Sequence, residues 1–252
     1  MKKESDVHNQ PIPNRVVLTD GFLDQPFVSQ FHPGSSVMLS IEPTFEVKEN
    51  SGLASSTKRT AIEIWDGRLP RGNPEKLAKI LFCCDNPPGT KEITGSIDSI
   101  GLVYPGLVKA NYAGEYWPES IDHVLDEAIL TFVEELIYLV PIEARPTNYS
   151  VLKDSNISTE TVKNLAEGSE ACWRAILAQD ASAFGQSVTA SFDALVAIFP
   201  HMSNAKIVKE IEQYRNQALG WKVSGAGGGG YLILISETPI ENAIRVVARR
   251  GG

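Results

Sequence analysis

Cysteine, histidine and methionine are scarce in this chain of 252 residues, which has three, four and three of them. Three cysteines cannot form the disulfide framework of a small secreted domain, and neither they nor the histidines show metal-ligand spacing. The adjacent pair Cys83 and Cys84 is interpreted as buried apolar filling. The sequence therefore predicts neither a disulfide scaffold nor a Cys/His metal site.

Cations and long apolar runs are also in short supply. The 23 Lys and Arg residues stand against 31 Asp and Glu, a net charge of −8, whereas a nucleic-acid surface needs clustered cations. No apolar run reaches the roughly 18 residues of a membrane span, and the opening MKKESDVHNQ contains no apolar signal core. We expect a cytoplasmic protein without nucleic-acid or membrane contacts, with homodimer formation left open. A phosphorylated small molecule remains compatible with the acidity, since a few local donors suffice.

The chain is 42% hydrophobic and 21% charged, as is usual for one large or two small globular domains. In the first half, periodicity and Gly/Pro breaks predict strands over RVVLT, PFVSQF, SVMLSIEPTFEV and IYLVPIEARP. Helices are predicted for SGLASSTKRTAIEIW, KLAKILFCC and residues 118–136.

The second half is richer in helical patterns. Apolar residues at helical spacing predict helices over 158–177 and 181–199, and a third helix that ends at Gly220 as a C-cap residue. WKVSG, YLILIS and AIRVVARR predict strands, with a short helix opened by Thr238 and Pro239. The change near residue 150 predicts an α+β fold of two lobes, residues 11–150 and 151–252.

Residues 225–230, GAGGGG, lie between the strand-like segments WKVS and YLILIS. A slack linker should join independent units, so this position within one lobe disfavours a linker. Two explanations stay open, a glycine turn used for close packing and a backbone that must approach a ligand or another segment without Cβ atoms.

The run KVSGAGGGGYLIL resembles the third motif of the GHMP kinases, the family of galactokinase, homoserine kinase, mevalonate kinase and phosphomevalonate kinase. It is most similar to the branch of heptose-phosphate kinase and fucokinase, K-x-x-G-A-G-G-G-G-F. The resemblance implies an N-terminal lobe like ribosomal protein S5 domain 2, a C-terminal ferredoxin-like lobe, and an active cleft between them. It also implies that one set of residues lies beside the substrate: Gly225, Ala226, Gly227 and Gly228.

The segment from Pro13 to Asp24 resembles the family's first motif, P-x-R-[IV]-x-[LF]-x-G-x-x-x-D. Arg15 and Asp24 fall in register, while Thr19-Asp20 departs from the small residues usual there. The resemblance implies that Asp24 contacts the sugar. For Arg15 the alternative is a surface charge at a strand edge.

The second motif, P-x-x-x-G-L-G-S-S, is a phosphate loop that opens a helix. The residues that resemble it are Ser51, Gly52, Leu53, Ala54, Ser55, Ser56 and Thr57. A helix N-terminus offers unpaired N–H donors and the positive end of the helix dipole, which suits ATP phosphates, and a hydroxyl such as that of Ser56 can hold Mg²⁺. The alternative is an N-capped helix without a ligand. Ala54 replaces the middle glycine, so its methyl group is expected to crowd a phosphate. Only about 28 residues separate Asp24 from Gly52, which predicts a shortened N-terminal lobe.

The stretch Gly95 to Gly101, with Pro105-Gly106-Leu107 behind it, resembles the sugar-kinase element G-x-x-D-Q that precedes G-G-[LI]. The resemblance implies that Asp98 is the base or electrostatic partner of the acceptor hydroxyl. Arg15 is its expected partner, because a cation keeps the carboxylate ionised and stabilises the transferring phosphoryl group. The alternative for Asp98 is a turn or cap residue.

Aromatic and polar residues alternate in NYAGEYWP, as is typical of a sugar site. Tyr112, Tyr116 and Trp117 are therefore acceptor-site candidates, with plain loop packing as the alternative. Glu63 and Glu92 are further candidates for Mg²⁺ binding, although no motif places them.

Together the motifs predict an ATP- and Mg²⁺-dependent kinase that phosphorylates a hydroxyl of a sugar or sugar phosphate. One alternative is a degenerate, non-catalytic relative that binds a sugar or a nucleotide. A second alternative is a kinase for a small non-sugar alcohol such as homoserine or mevalonate.

Overall fold

The computed structural model describes residues 10–19, 21–48, 51–146 and 149–251. Asp20 and residues 1–9, which entered the sequence analysis, lie outside the described residues. The strands are β1 (Gln10–Pro11), β2 (Asn14–Thr19), β3 (Gly34–Ile41), β4 (Arg68–Leu69), β5 (Leu107–Tyr112), β6 (Ser120–Val124), β7 (Ile137–Pro141), β8 (Gly220–Val223), β9 (Tyr231–Ile235) and β10 (Ile244–Arg245).

The helices are α1 (Pro26–Ser29), α2 (Ser55–Trp65), α3 (Pro74–Asp85), α4 (Ile97–Val103), α5 (Glu127–Leu136), α6 (Thr159–Leu177), α7 (Ala181–Ile198) and α8 (Ala205–Tyr214), with a 3₁₀ turn at Pro200–Met202. Within the described part of the chain, no helix has the length and hydropathy of a membrane span.

Two antiparallel four-stranded sheets organise the molecule. The first has the order β2-β3-β5-β6 and the second the order β10-β7-β9-β8, while β1 and β4 form a separate pair. Every residue of β2 and of β9 is buried, so both strands lie inside packed layers. The predicted α+β class is confirmed.

Helices cover both sides of the first sheet. Helix α4 packs on β2 and β3, and α6 packs on β3 from the C-terminal part of the chain. Gly34 of β3 allows this approach, because a Cβ atom there would lie 2.7 Å from the Cβ of Ala166. Helix α7 lies against α6 and also contacts β8 of the second sheet. The two sheets are thus joined through α6 and α7, which also contact β2, the edge strand of the first sheet.

The predicted helices 158–177 and 181–199 are confirmed as α6 and α7. A capping box of Ser158 and Thr161 starts the first, and the Asp180 side chain accepts a hydrogen bond from the Ala183 N–H to start the second. Helices α2 and α3 also form where their patterns indicate them.

Two predictions in the first half are wrong. PFVSQF forms the helical turn α1 rather than a strand, since Pro26 occupies the first helical position, where its fixed φ and missing N–H cost nothing. Residues 118–136 form β6 followed by α5, not one helix. Pairing of β6 with β5 overrides the helical periodicity, and Asp126 starts α5 by accepting from the Ile129 N–H at 3.1 Å.

In the second half, the predictions for Gly220 and for the segments after β9 are also wrong in part. Helix α8 ends at Tyr214, and Gly220 opens β8, where a Cβ atom would lie 1.9 Å from the Gly185 carbonyl oxygen. Thr238 and Pro239 lie in an irregular segment rather than a helix. Of the last predicted strand only Ile244–Arg245 forms a strand, and Ala248 makes an isolated antiparallel bridge with Ile41.

Two further predictions concern the cysteine pair of α3 and the boundary between the two lobes. Cys83 and Cys84 are exposed on α3, so they are not core filling. Strand β7 precedes the predicted boundary near residue 150 but pairs with β9 in the second sheet. The two ranges 11–150 and 151–252 stay a prediction.

Candidate active site

A cavity of about 270 Å³ opens where β2, the N-terminal ends of α2 and α4, and the glycine run converge. It is small against the roughly 300–1,000 Å³ of typical ligand pockets, but it is open on one side. Its lining residues are Arg15, Gly21, Phe22, Asp24, Gln25, Gly52, Ala54, Ser55, Ser56, Thr94, Gly95, Ile97, Asp98, Arg145, Gly225 and Ala226.

The predicted partnership of Arg15 and Asp98 is present in this cavity. Arg15, on the buried strand β2, donates from Nε to Asp98 Oδ1 at 3.0 Å, and its Nη2 makes a second, closer contact with the same oxygen. Its Nη1 donates to the Gly52 carbonyl oxygen at 3.1 Å. Both side chains line the cavity, and with Arg15 5% exposed and Asp98 24% the carboxylate is the more accessible of the two. The second carboxylate oxygen, Oδ2, has no hydrogen-bond partner among the described residues.

Two glycines allow this arrangement. A Cβ atom at Gly101 would lie 3.2 Å from the Arg15 side chain, so glycine lets α4 approach β2 closely. A Cβ atom at Gly95 would lie 1.8 Å from Asp24 Oδ2, so the Asp24 carboxylate would have to leave its position. The glycines that flank Asp98 are therefore required by the side chains opposite them.

Asp24 lines the cavity at 5% exposure and also supports α4. Its Oδ2 accepts a hydrogen bond from the Ile97 N–H at 3.1 Å, so it satisfies one of the free donors at the start of that helix. The same carboxylate fixes the helix that carries Asp98. Contact with a sugar stays a prediction.

The loop before α2 reaches the cavity with only some of its predicted residues. Gly52, Ala54, Ser55 and Ser56 line it, and α2 has no side-chain N-cap among the described residues. The remaining three are placed elsewhere: Leu53 is fully buried, the Ser51 hydroxyl is buried without a partner in the described part of the chain, and Thr57 donates to Asp85. An uncapped helix start that faces a cavity is suited to a phosphate group.

The glycine run packs directly on this loop. Gly52 and Gly225 have φ of +78° and +55°, and a Cβ atom at Gly225 would lie 2.5 Å from the Gly52 Cα. The Ser224 hydroxyl donates to the Ser51 carbonyl oxygen and accepts from the Tyr231 N–H at 3.0 Å. Residues 224 and 225 therefore press backbone to backbone on residues 51 and 52, which excludes the linker interpretation and supports the shaped backbone.

Only part of the run lines the cavity. Gly225 and Ala226 do, whereas a Cβ atom at Gly227 would meet Met202 at 2.5 Å and one at Gly228 would meet the Tyr149 ring at 2.4 Å. Gly227 and Gly228 do not line the cavity, and their contact with a substrate stays a prediction. Their glycines are explained by packing.

The three aromatic candidates also lie outside the cavity lining. Tyr112 is 1% exposed, and its hydroxyl lies 3.0 Å from the Ser96 hydroxyl, which donates to the Tyr116 carbonyl oxygen at 2.6 Å. Trp117 packs edge-on against Phe82 and under the Lys79 ammonium. Tyr112 and Trp117 pack against protein groups, as the alternative interpretation of the segment has it, and contact of the three aromatic residues with an acceptor stays a prediction.

Sequence reasoning missed Arg145. It lines the cavity from the segment after β7, and its Nε donates to the Gly227 carbonyl oxygen at 2.9 Å. Its guanidinium carbon lies 5.2 Å from the centre of the Tyr149 ring, and burial lowers the pKa of the group. One arginine in a loop has no periodic or motif signal, so only the fold could bring it to the site.

Residues suited to Mg²⁺ are few but appropriate. Ser56 is exposed at the start of α2, and Oδ2 of Asp98 faces the same cavity. The described residues contain no cluster of three His, Cys, Asp or Glu that could hold a metal on its own, and neither Glu63 nor Glu92 lines the cavity. Mg²⁺ usually binds one or two protein oxygens together with substrate phosphates, so the donor set fits an ion that arrives with a nucleotide.

One further carboxylate lies beside α2. Asp85, at the end of α3, accepts hydrogen bonds from the Thr57 hydroxyl and, at 2.6 Å, from the Thr60 hydroxyl. It braces the helix on the side away from the cavity lining.

Comparison with known proteins gives a family match and several structural likenesses. Residues 163–252 match the family model described as GHMP kinases C terminal. A putative sugar kinase from Campylobacter jejuni is similar at TM-score 0.61 and 13% identity over 95% of each chain. A D-glycero-D-manno-heptose 1-phosphate kinase from Bacteroides thetaiotaomicron gives 0.62 and 12%, also over 95% of each chain. The mevalonate diphosphate decarboxylase from Enterococcus faecalis gives 0.53 and 12% over 95% of this chain and 96% of that one. No curated protein matches the sequence significantly.

Proposed function

We propose a kinase function from the premise that residues 163–252 are a GHMP kinase C-terminal domain and that the chain as a whole has the GHMP kinase fold. The protein transfers the γ-phosphoryl group of ATP to a hydroxyl of a sugar or sugar phosphate. The observation that carries the proposal is the Arg15–Asp98 pair, which lies in one cavity with the uncapped start of α2.

Asp98 is proposed as the general base. Its Oδ1 is held by Arg15, while Oδ2 faces the cavity and can accept the proton of the acceptor hydroxyl. Arg15 fixes the carboxylate and adds positive charge beside the transferring group. Phosphoryl transfer needs positioning and charge stabilisation more than covalent chemistry, so this pair and a phosphate cradle are an adequate set.

The cradle is the start of α2. Its backbone N–H groups and the Ser55 hydroxyl are the donors for the nucleotide phosphates, and the Ser56 hydroxyl would hold Mg²⁺ together with phosphate oxygens. The ion, when bound, neutralises charge on the β- and γ-phosphates. Among the neighbours, the decarboxylase from Enterococcus faecalis was solved in a study of ATP binding, which supports this use of the fold.

Asp24 and the lining part of the glycine run are proposed for the acceptor side. Asp24 offers the acceptor a buried carboxylate, and Gly225 and Ala226 form a wall without long side chains. The choice of a sugar follows from the resemblance of the stretch around Asp98 to the sugar kinases. The structural neighbours include sugar kinases and mevalonate and phosphomevalonate kinases at similar TM-scores, so they support the fold and not one kind of alcohol. Tyr112, Tyr116 and Trp117 are given no part in binding.

The test is ADP formation from Mg²⁺-ATP with a panel of sugars and sugar phosphates, together with the melting temperature with and without ATP. We expect turnover with at least one acceptor and a higher Tm with ATP. The kinase function is refuted if no acceptor gives turnover and ATP leaves Tm unchanged, which is the behaviour expected of a non-catalytic relative that binds only a sugar.

The assigned base is tested by Asp98→Asn, which should lower kcat by about 10²–10⁴-fold. Asp126→Asn is the matched control, because asparagine caps α5 as well as aspartate does and the residue is remote from the cavity lining. Full activity of Asp98→Asn would leave the kinase function standing but refute the mechanism.

A further inference from the structure

The positive and negative charges that line the cavity are equal in number, but they are not all joined in ion pairs. Four charged side chains line it: Arg15, Asp24, Asp98 and Arg145. Arg15 is paired with Asp98, and Asp24 receives the Ile97 N–H. No Asp or Glu carboxylate of the described chain forms an ion pair with Arg145.

Arg145 is nevertheless a constrained side chain. Its Nε–H is used on the Gly227 carbonyl oxygen, and its guanidinium stacks on the Tyr149 ring, whose hydroxyl donates to the Ala226 carbonyl oxygen at 2.6 Å. These contacts orient the group and leave its two terminal nitrogens without acceptors among the residues that the structure describes. A surface arginine with no task would keep its rotamer freedom instead.

A half-buried guanidinium without a carboxylate partner is costly, and burial already lowers its pKa. Arginine stays protonated at neutral pH, so the site cannot remove the cost by releasing a proton. The planar group matches phosphate and carboxylate oxygens in a bidentate manner. A ligand anion would supply the missing partner.

Two sources of such an anion are conceivable, the nucleotide and the acceptor. In the proposed function, the nucleotide phosphates already have donors, which are the backbone N–H groups at the N-terminal end of α2. Arg145 is instead anchored on the glycine run, at Gly227, through a segment that follows β7. A second, separately anchored donor set indicates a second anionic group.

We infer that Arg145 determines specificity for an acceptor that carries an anionic group, a phosphate or a carboxylate, in addition to the hydroxyl that is phosphorylated. The inference rests on the proposed kinase function and narrows its substrate class. A sugar phosphate is preferred over the corresponding free sugar, and a small hydroxy acid over its lactone.

The test uses matched acceptor pairs that differ in the anion: glucose and glucose 6-phosphate, mannose and mannose 6-phosphate, galactose and galactose 1-phosphate, mevalonate and mevalonolactone. We expect wild-type protein to prefer the anionic member of at least one pair in both kcat/KM and direct calorimetric binding. Arg145→Gln keeps a donor for the Gly227 carbonyl oxygen but removes the charge, and should raise KM for that member by about 10- to 100-fold. KM for the neutral member and for Mg²⁺-ATP should change less than about twofold, and Arg145→Lys should recover part of the loss.

Tyr149→Phe is the control that separates the loss of structural support for the glycine run from the loss of a positive charge. It removes the hydrogen bond to Ala226 but no charge, so it should affect both members of a pair equally. Equal kinetics and binding for both members of every pair, including no binding by any, overturn the inference. A rise in KM for Mg²⁺-ATP without a change for the acceptor also overturns it and assigns Arg145 to the nucleotide.

The two proposals can fail separately. Turnover of neutral sugars without preference for anionic ones refutes the specificity inference and leaves the kinase function standing. Binding of an anionic sugar that depends on Arg145, without ADP formation, refutes the kinase function and leaves Arg145 as the anion-binding residue of a non-catalytic sugar-binding protein.

Discussion

Two loops meet at the cavity, and they reach their shapes in different ways. Residues 224–230 are almost all glycine, and Gly225, Gly227 and Gly228 each have positive φ at positions where a Cβ atom would collide with a neighbour. Residues 51–57 instead keep an alanine in the left-handed region, since Ala54 has φ of +60°. The first loop is shaped by contact on several sides, whereas the second carries a backbone cost of about 1–2 kcal/mol at one residue.

This difference shows which loop supports the other. The loop before α2 is held by Arg15 through the Gly52 carbonyl oxygen and by Ser224 through the Ser51 carbonyl oxygen. Both contacts come from outside the loop, so the unfavourable conformation at Ala54 is imposed by the surrounding structure. The glycine run therefore determines the shape of the loop before α2, for which phosphate binding is proposed.

The largest effect is expected for Gly225→Ala, which disrupts the close backbone contact between the glycine run and the loop before α2. The new methyl group would lie 2.5 Å from the Gly52 Cα, where no side chain can move away, and the residue would keep positive φ. We expect a loss of about 3 kcal/mol in the free energy of unfolding and an increase of about tenfold or more in KM for ATP. Urea unfolding and initial-rate kinetics measure the two.

Gly67→Ala is the matched control, since Gly67 has φ of +74° but no atom lies within 4 Å of the place that a methyl group would take. It should cost only about 1 kcal/mol and leave KM for ATP unchanged. Equal effects of the two substitutions would show that backbone conformation alone matters and that the contact between the loops does not.

A smaller effect is expected for Ser224→Ala. The substitution leaves the Ser51 carbonyl oxygen and the Tyr231 N–H without the hydroxyl that joins them, at a position 1% exposed. We expect a loss of about 1–3 kcal/mol and weaker ATP binding, measured by urea unfolding and calorimetric titration.

Ser236→Ala removes an equally buried hydroxyl at the other end of β9, where it bonds Gln217 and Thr238. It should cost similar stability without weakening ATP binding. If both serine variants weaken ATP binding alike, the special role of Ser224 in holding the phosphate loop is wrong.

The smallest effect is expected for Ala54→Gly, and it is a gain in stability. Glycine adopts the left-handed conformation without steric cost, although its greater freedom in the unfolded chain offsets part of the benefit. We expect a gain of up to about 1 kcal/mol in stability and tighter ATP binding, because a methyl group leaves the cavity lining.

Asp66→Gly is the control for this prediction. Asp66 has φ of +50° at the opposite end of α2 and does not line the cavity. Its replacement by glycine should therefore stabilise the fold without changing the affinity for ATP. Tighter ATP binding in Asp66→Gly, or none in Ala54→Gly, would contradict the account of Ala54.

Sequence reasoning was accurate where local pattern and tertiary structure agree. Helices α6 and α7 carry both periodicity and caps, so their positions followed from the sequence. Strand β6 and the turn α1 were missed because strand pairing and a proline at the first helical position decided them. Gly220 looked like a helix end, but its close approach to Gly185 on another element is what requires glycine.

The candidate site likewise contains some residues that the sequence predicts and others that it does not. The sequence predicts the contact between Arg15 and Asp98 because each residue stands in a recognisable motif, although 83 residues separate them. Tyr112 and Trp117 look like ligand residues in sequence but face the protein interior and a neighbouring helix. Arg145 could not be found, since its position depends on where the segment after β7 crosses the glycine run.

The most direct measurement of the central claim is ³¹P NMR of a reaction that contains the protein, Mg²⁺-ATP and the preferred acceptor of the panel. The account predicts that ADP and a new phosphate ester appear in equal amounts, and that Asp98→Asn abolishes both while Asp126→Asn does not. Formation of ADP with inorganic phosphate and no ester, or an ester signal that survives Asp98→Asn at full rate, would contradict it.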